Sequence, residues 1–358
     1  MRYFYRSLLI LLSINTLCVQ NICAHDLSGS DFIQPKGLVV SSAISEHEAF
    51  FGGEYGQLYM AHIMHDGVHW QRYRKSGLGL ITDIDESGFS SSKSIDNKSI
   101  LLSTSRGQIF QVNPEAQSEA WKLIYASESE ENLPFFDVAA FGEDKIIAVG
   151  AFGTLIYSHD GGQHWQNLTE SISELDYPHL YKIIKSAPLQ QSKTGVVGYV
   201  VGEFGALLQL SIQNNELITV PIETNTESTF FDGAFLSDRW IIFAGVSGSL
   251  LALDHTTNQI FASDLCDSKS IYSVRADGTE RNLLLAGEGG TVFRLSLLDE
   301  GLNAPPPLTC QFYKLNNEKL SNVDIQGERI FMTTDHGVTI EKAATLLQEF
   351  TTPVDIQW

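Results

Sequence analysis

The chain has 358 residues, 43% hydrophobic and 10% aromatic, a composition that can bury a large core and excludes a disordered acidic tail. Its 43 acidic residues outnumber the 23 basic ones, for a formal charge of −20. That balance argues against nucleic acid, which demands clustered Lys and Arg, and against docking on anionic lipid by charge.

The chain opens with Arg2 and Arg6, an apolar run from Leu8 to Leu17, and then Ile22-Cys23-Ala24. A basic start, an apolar stretch of about ten residues and a small closing residue read as a secretory signal peptide, residues 1–24, cleaved after Ala24. The run is too short to cross a bilayer, which takes ~20 residues. Neither Cys18, after Leu17, nor Cys23, after Ile22, follows the small residue of a lipoprotein box. Residues 25–358 are therefore expected to be an exported, soluble domain in the periplasm or another extracytoplasmic compartment of a bacterium.

From there, runs of β-branched and aromatic residues break at glycine turns and resume. Examples are "AFFGGEYGQLYM", "IIAVGAFGTLIYS", "GYVVGEFGALLQL" and "NLLLAGEGGTVFRL". The last turn glycines are Gly56, Gly107, Gly153, Gly205, Gly248, Gly290 and Gly337, spaced by 51, 46, 52, 43, 42 and 47 residues. Each unit reads as a strand, a turn needing positive φ, and a second strand. A further apolar run precedes each hairpin and a polar one follows it, often closing on Trp70, Trp121 or Trp165. Four-stranded units of this length cannot bury both faces alone and are expected to stack around an axis. The fold predicted is all-β: a seven-bladed β-propeller of about four antiparallel strands per blade. Near the end, "EKAATLLQEF" is ambiguous between helix and strand.

Within the third unit, "SHDGGQHW" fits the Asp-box pattern S-x-D-x-G-x-x-W, at the turn between the third and fourth strands. Asp160, beside Ser158, is expected to accept from the turn's own amides, Gly162 to supply the unusual φ, and Trp165 to fold back into the core between blades. "MHDGVHW" in the first unit is a shortened copy, containing Asp66. A turn that decays while its tryptophan persists reads as packing, with His159 and His164 facing water rather than a metal. Cys266 and Cys310 fall near the outer strands of neighbouring units, which splay apart, so both are expected to be free thiols. No metal or cofactor is expected, since neither cysteine has a second ligand at metal spacing.

These repeats resemble the photosystem II stability/assembly factor family, seven-bladed propellers with Asp-box repeats. "AVGAFGTLIYSHDGGQHW" is similar to that family's G-x-x-G-x-[ILV]-x-x-S-x-D-G-G-x-x-W. The resemblance implies a binding or assembly module for a membrane protein complex: a reaction-centre precursor in photosynthetic organisms, and transporters of the resistance-nodulation-division type in related exported bacterial proteins. Family members are thought to use an arginine patch; this chain has ten arginines, two of them in the leader, and no obvious cluster.

In a propeller, the turns between second and third strands share one face with the connections entering each innermost strand, opposite the Asp box. That face is expected to collect Glu54, Tyr55, Arg106, Phe152, Glu203, Phe204, Glu288, and Asp335 with His336. The starts of the innermost strands add Asp137, Lys182 and Asp232. Aromatics and carboxylates together read as a docking surface for a basic or amphipathic protein segment, with the domain acting as a monomer. The alternative is a glycan-processing enzyme of sialidase or glycosidase type, since Asp boxes occur in sialidases. Against it, no F/Y-R-I-P element occurs and Arg106, Arg239, Arg275, Arg281, Arg294 and Arg329 lack matching context. No G-x-S-x-G, phosphate loop or H-E-x-x-H is present either.

Overall fold

The computed structural model describes residues 35–358, apart from 66, 90–98, 117–119, 128–131, 188–190, 192–193, 280, 299–304, 316–317 and 335. Residues 1–24, read above as a signal peptide, and Asp66 and Asp335 lie outside the described residues.

Seven antiparallel sheets follow one another along the chain and occupy residues 38–74, 81–126, 135–167, 180–221, 230–264, 271–314 and 320–342. Their innermost strands are Leu38–Ser45, Ile81–Phe89, Phe135–Phe141, Leu180–Lys185, Phe230–Phe235, Ile271–Ala276 and Leu320–Gln326. The second strands, such as Lys145–Gly150 and Trp240–Gly245, are buried along nearly their whole length. They read as continuous apolar runs rather than alternating ones because a neighbouring blade covers each face.

One apolar cluster fills each of the seven interfaces between neighbouring blades, including the one between the last and the first. At that closing interface, Phe51 meets Phe331 with ring centroids 6.4 Å apart. The Ser41 hydroxyl donates to Asn322 Oδ1 at 3.1 Å, and the Ala43 N–H donates to Asp324 at 2.6 Å. The ring therefore closes by packing and side-chain bonds between first strands.

Six blades carry the expected four strands, and the sixth has a fifth; the seventh has three among the described residues. After that third strand the ambiguous stretch forms a helical turn, Ala343–Leu346, and a 3-10 turn, Leu347–Glu349. The tail then adds its strand, Val354–Asp355, to the outer edge of blade six.

The free-thiol expectation is overturned: Cys266 and Cys310 form a disulfide, with Cα atoms 6.0 Å apart. Cys310 lies on the outer strand of blade six, Leu308–Lys314. Cys266 lies past the end of the outer strand of blade five, Gln259–Asp264, where the chain has turned inward toward blade six. The splay of outer strands does not apply to a connection that crosses between them. By closing a loop of 44 residues across two blades, the bridge contributes about 2–4 kcal/mol.

A candidate docking face around the channel mouth

In five blades the turn from second to third strand repeats one construction. A glycine ends the second strand: Gly53, Gly150, Gly202, Gly245 or Gly287. A Cβ on any of them would come within 1.9–2.2 Å of the carbonyl oxygen of residue 37, 134, 179, 229 or 270, where the chain enters the first strand. The N–H of the residue after each glycine donates to that same oxygen, for instance Glu203 to His179 at 3.0 Å and Glu288 to Ser270 at 2.9 Å. The first glycine of G-x-x-G is thus required by close approach of two backbones.

The second glycine has positive φ, as expected, but so does the residue before it: Tyr55 (φ 56°), Phe152 (53°), Phe204 (54°), Ser247 (52°) and Gly289 (69°). Two successive left-handed residues make a tight hairpin of the I′ kind. Three of these tips are aromatic and exposed: Tyr55 by 83%, Phe204 by 68% and Phe152 by 48%. Glu54 and Glu288 are exposed beside them. Arg106 donates to the Gly77 carbonyl at 3.0 Å, and His336 pairs with Glu318 at 3.1 Å.

Glu203 is not a free rim charge. Its carboxylate accepts from the His179 N–H at 3.1 Å and from the Tyr181 hydroxyl at 3.2 Å. Burial and then the Glu203 charge hold the Tyr181 phenol well above its ordinary pKa. The Phe152 N–H donates to His179 Nδ1 at 2.9 Å.

Asp137, Lys182 and Asp232 do not join the exposed rim. They lie inside the central channel, around a cavity of about 530 Å³, with Asp137 and Asp232 1% and 3% exposed. The reason is the bulge at the start of each innermost strand, which turns the third residue inward. Lys182 Nζ donates to Asp137 at 2.6 Å and to Asp83 at 2.8 Å, bridging blades two, three and four. Burial, then the neighbouring Asp83 charge, pushes Asp137 up despite Lys182. Burial would lower Lys182, but Asp137 and Asp83 outweigh it and hold the ammonium charged. On the other side, Arg275 donates to Asp232 at 2.8 Å and lies 3.9 Å from Asp324.

Four of the five channel aspartates also have a structural task. Asp85 accepts from the Ala140 N–H, Asp137 from Ile183, Asp232 from Val274 and Asp324 from Ala43, at 2.6, 2.6, 2.8 and 2.6 Å. In every case the donor is on the first strand of the next blade, so these carboxylates fasten blade to blade.

One residue ahead of the charged ring stands a group that reading the sequence missed. The rings of Phe152, His179, Phe136, Tyr181, Phe231 and Tyr272 form an unbroken series across blades three to six, with centroids 4.8, 5.8, 5.2, 5.0 and 5.6 Å apart. Lys319 Nζ closes it, 4.4 Å over the Tyr272 ring. The signal was the second position of each first strand, which reads Phe136, Tyr181, Phe231 and Tyr272 in succession but Val39, Thr82 and Ser321 in the other blades.

On the opposite face lies the Asp box. Asp160 accepts from the Gln163 and His164 N–H groups at 3.0 and 2.9 Å, and the Gly162 N–H donates to Ser158 Oγ at 2.9 Å. Slight burial would raise Asp160, but the bonds from His164 and Ser158 hold its carboxyl well below the usual carboxylate range. Trp165 is half-buried, 5.2 Å from Tyr125 of blade two, and its Nε1 donates to the Ile124 carbonyl at 3.0 Å. His164 faces water but also meets Asp160 at 2.6 Å. No cluster of metal-ligating side chains occurs among the described residues.

Residues 49–211 match the family model described as photosynthesis system II assembly factor YCF48. A curated relative, the photosystem II assembly lipoprotein Ycf48 of Synechocystis sp., is 27% identical over 117 residues, 32% of this chain. The match spans about a third, 31%, of that relative's own length. Among solved structures, YCF48 bound to D1 peptide has a TM-score of 0.61 at 13% identity, covering 87% of this chain and 95% of that one. The WD40 β-propeller domain of Doa1 has a TM-score of 0.62, also at 13% identity, covering 90% and 95%. At such identity these two likenesses carry the fold alone. The chain resembles the Ycf48-type photosystem II assembly factors, in sequence through residues 49–211 and in its propeller fold through most of its length.

Proposed function

We propose that this protein is an exported, non-catalytic assembly scaffold whose turn face docks a segment of a membrane protein complex. The observation that carries the reading is the set of exposed aromatic tips, Tyr55, Phe152 and Phe204, each held in a left-handed conformation. Bulky side chains are disfavoured there, and such strain concentrates at functional sites. Ser247 and Gly289 at the equivalent turns mean that the hairpin itself does not require an aromatic.

The comparisons support the same reading. The matched family is one of assembly factors, and a propeller of like fold is described with a bound peptide. The name of the Synechocystis relative, a lipoprotein, supports an extracytoplasmic setting. No helix among the described residues is long and apolar enough to cross a membrane. The partner is a photosystem component where there is photosynthesis, and a transporter of the resistance-nodulation-division type elsewhere. A sialidase-like site would need converging arginines. Here Arg239 is held by Asp254 at 2.7 Å in blade five, while Arg275 is held by Asp232 inside the channel.

A photo-crosslinking residue placed at Phe204 tests the face in native membranes. It should capture a membrane protein, whereas the same residue at His164, on the opposite face, should not. Equal capture from both positions, or none from Phe204, rejects the docking face.

A further inference from the structure

The channel mouth has two unlike halves. Blades three to six present the aromatic series, while blades seven, one and two present Ser321, Val39 and Thr82 at the same level. Phe136, Tyr181, Phe231 and Tyr272 are each partly exposed although their edges pack on one another. They offer a preformed apolar floor, which the Phe152 tip joins through His179.

Beneath the mouth, carboxyl groups outnumber cations. Five carboxylates line the channel, Asp83, Asp85, Asp137, Asp232 and Asp324, against Lys182, Lys185 and Arg275. Each of these cations already pairs with a carboxylate: Lys182 with two, Lys185 with Asp85 at 2.7 Å, and Arg275 with Asp232. A ligand carboxylate would have to compete with those pairs, whereas a ligand cation meets carboxyl groups in excess of cations. At the rim, the exposed Glu54 and Glu288 add to that excess, and in a mouth walled by low-dielectric rings their charge acts over several ångströms.

We propose that the segment docked here is a linear peptide whose apolar, aromatic or leucine-like side chains lie on the floor from Phe136 to Tyr272, with a Lys or Arg side chain over the channel mouth. This rests on the docking face proposed above and names the chemistry of its occupant. Burial of the apolar side chains holds the peptide, and the cation sets its direction across the mouth.

Three dye-labelled octapeptides test it by fluorescence anisotropy on the full mature protein. The first is Gly-Leu-Phe-Leu-Phe-Lys-Arg-Gly. The second carries Glu-Glu in place of Lys-Arg, and the third four serines in place of Leu-Phe-Leu-Phe. The first should bind at least tenfold more tightly than either counterpart, and its affinity should fall as salt rises from 50 to 500 mM. Phe231→Ser should weaken it about tenfold with the melting temperature retained. Glu54→Gln with Glu288→Gln should reduce the salt dependence while sparing the fold, which covers the case in which Phe231→Ser disturbs its neighbours. Equal affinity for all three peptides, preference for the acidic one, or no binding up to millimolar peptide overturns the proposal. Crosslinking from Phe204 combined with any of those results would leave the docking face standing and remove only the assigned ligand chemistry.

Discussion

Phe204 shows how much one side chain can reveal when its backbone is unfavourable. At φ 54° and ψ 35° it pays for a conformation that glycine adopts freely, and its ring is 68% exposed. A left-handed L-residue costs roughly 1–2 kcal/mol, and glycine gives back roughly 0.5–1 kcal/mol through its freer unfolded chain. Phe204→Gly should therefore leave stability within about 1 kcal/mol of wild type or raise it slightly, while partner binding falls. Chemical denaturation alongside crosslinking or anisotropy checks both halves. A loss of several kcal/mol would show that the ring is a packing group and would remove the argument from strain. The sequence marked Gly205 as the strained position, because glycine is the usual sign of positive φ. It could not mark Phe204, since an aromatic residue gives no such sign until the hairpin geometry is known.

At the scale of the element, the Asp box was legible because its chemistry is local: Ser158, Asp160 and Gly162 satisfy one another within five residues. What Trp165 touches was legible in kind but not in degree. It reaches Tyr125 and the Ile124 carbonyl on the outer strand of blade two, yet stays half-buried. Truncating a fully buried aromatic costs ~3–5 kcal/mol, so Trp165→Ala should cost about 2–3 kcal/mol. The urea midpoint measures this, and a native-like midpoint would mean that the tryptophan fastens nothing. The disulfide was misread for a related reason. Strand patterns locate Cys310 well, but Cys266 sits in a connection whose path is fixed by the packing of blades five and six. Spacing along the chain carries no record of that path.

Over the whole molecule, the seven-fold repeat gave away the architecture because every blade restates it, whereas the channel depends on residues about 45 to 280 positions apart. Asp137 and Asp232 follow Phe-Phe in both "FFDVAAF" and "FFDGAFL", so their equivalence was visible. Their inward direction was not, because it follows from the bulge rather than from the residue type. The charged ring is a set of couplings between blades: Arg275, on blade six, holds Asp232 of blade five and approaches Asp324 of blade seven. Arg275→Met keeps much of the volume and removes the charge, leaving two buried carboxylates without their cation. Breaking a buried pair in this way costs about 3 kcal/mol or more. The loss should depend on pH, and its sign can be worked out. Burial already raises Asp324 above the ordinary carboxylate range while Arg275 pulls it down, so removing Arg275 lifts it further. A carboxyl whose folded pKa stands above its unfolded value of about 3.9 keeps its full stability below that value and loses it as pH rises through the folded pKa. The deficit of Arg275→Met relative to wild type should therefore be larger at pH 7 than at pH 4.5. Urea unfolding of both proteins at the two values decides it. A deficit that stays constant, or grows on acidification, would mean that Arg275 serves the ring through packing rather than by holding Asp324 ionised.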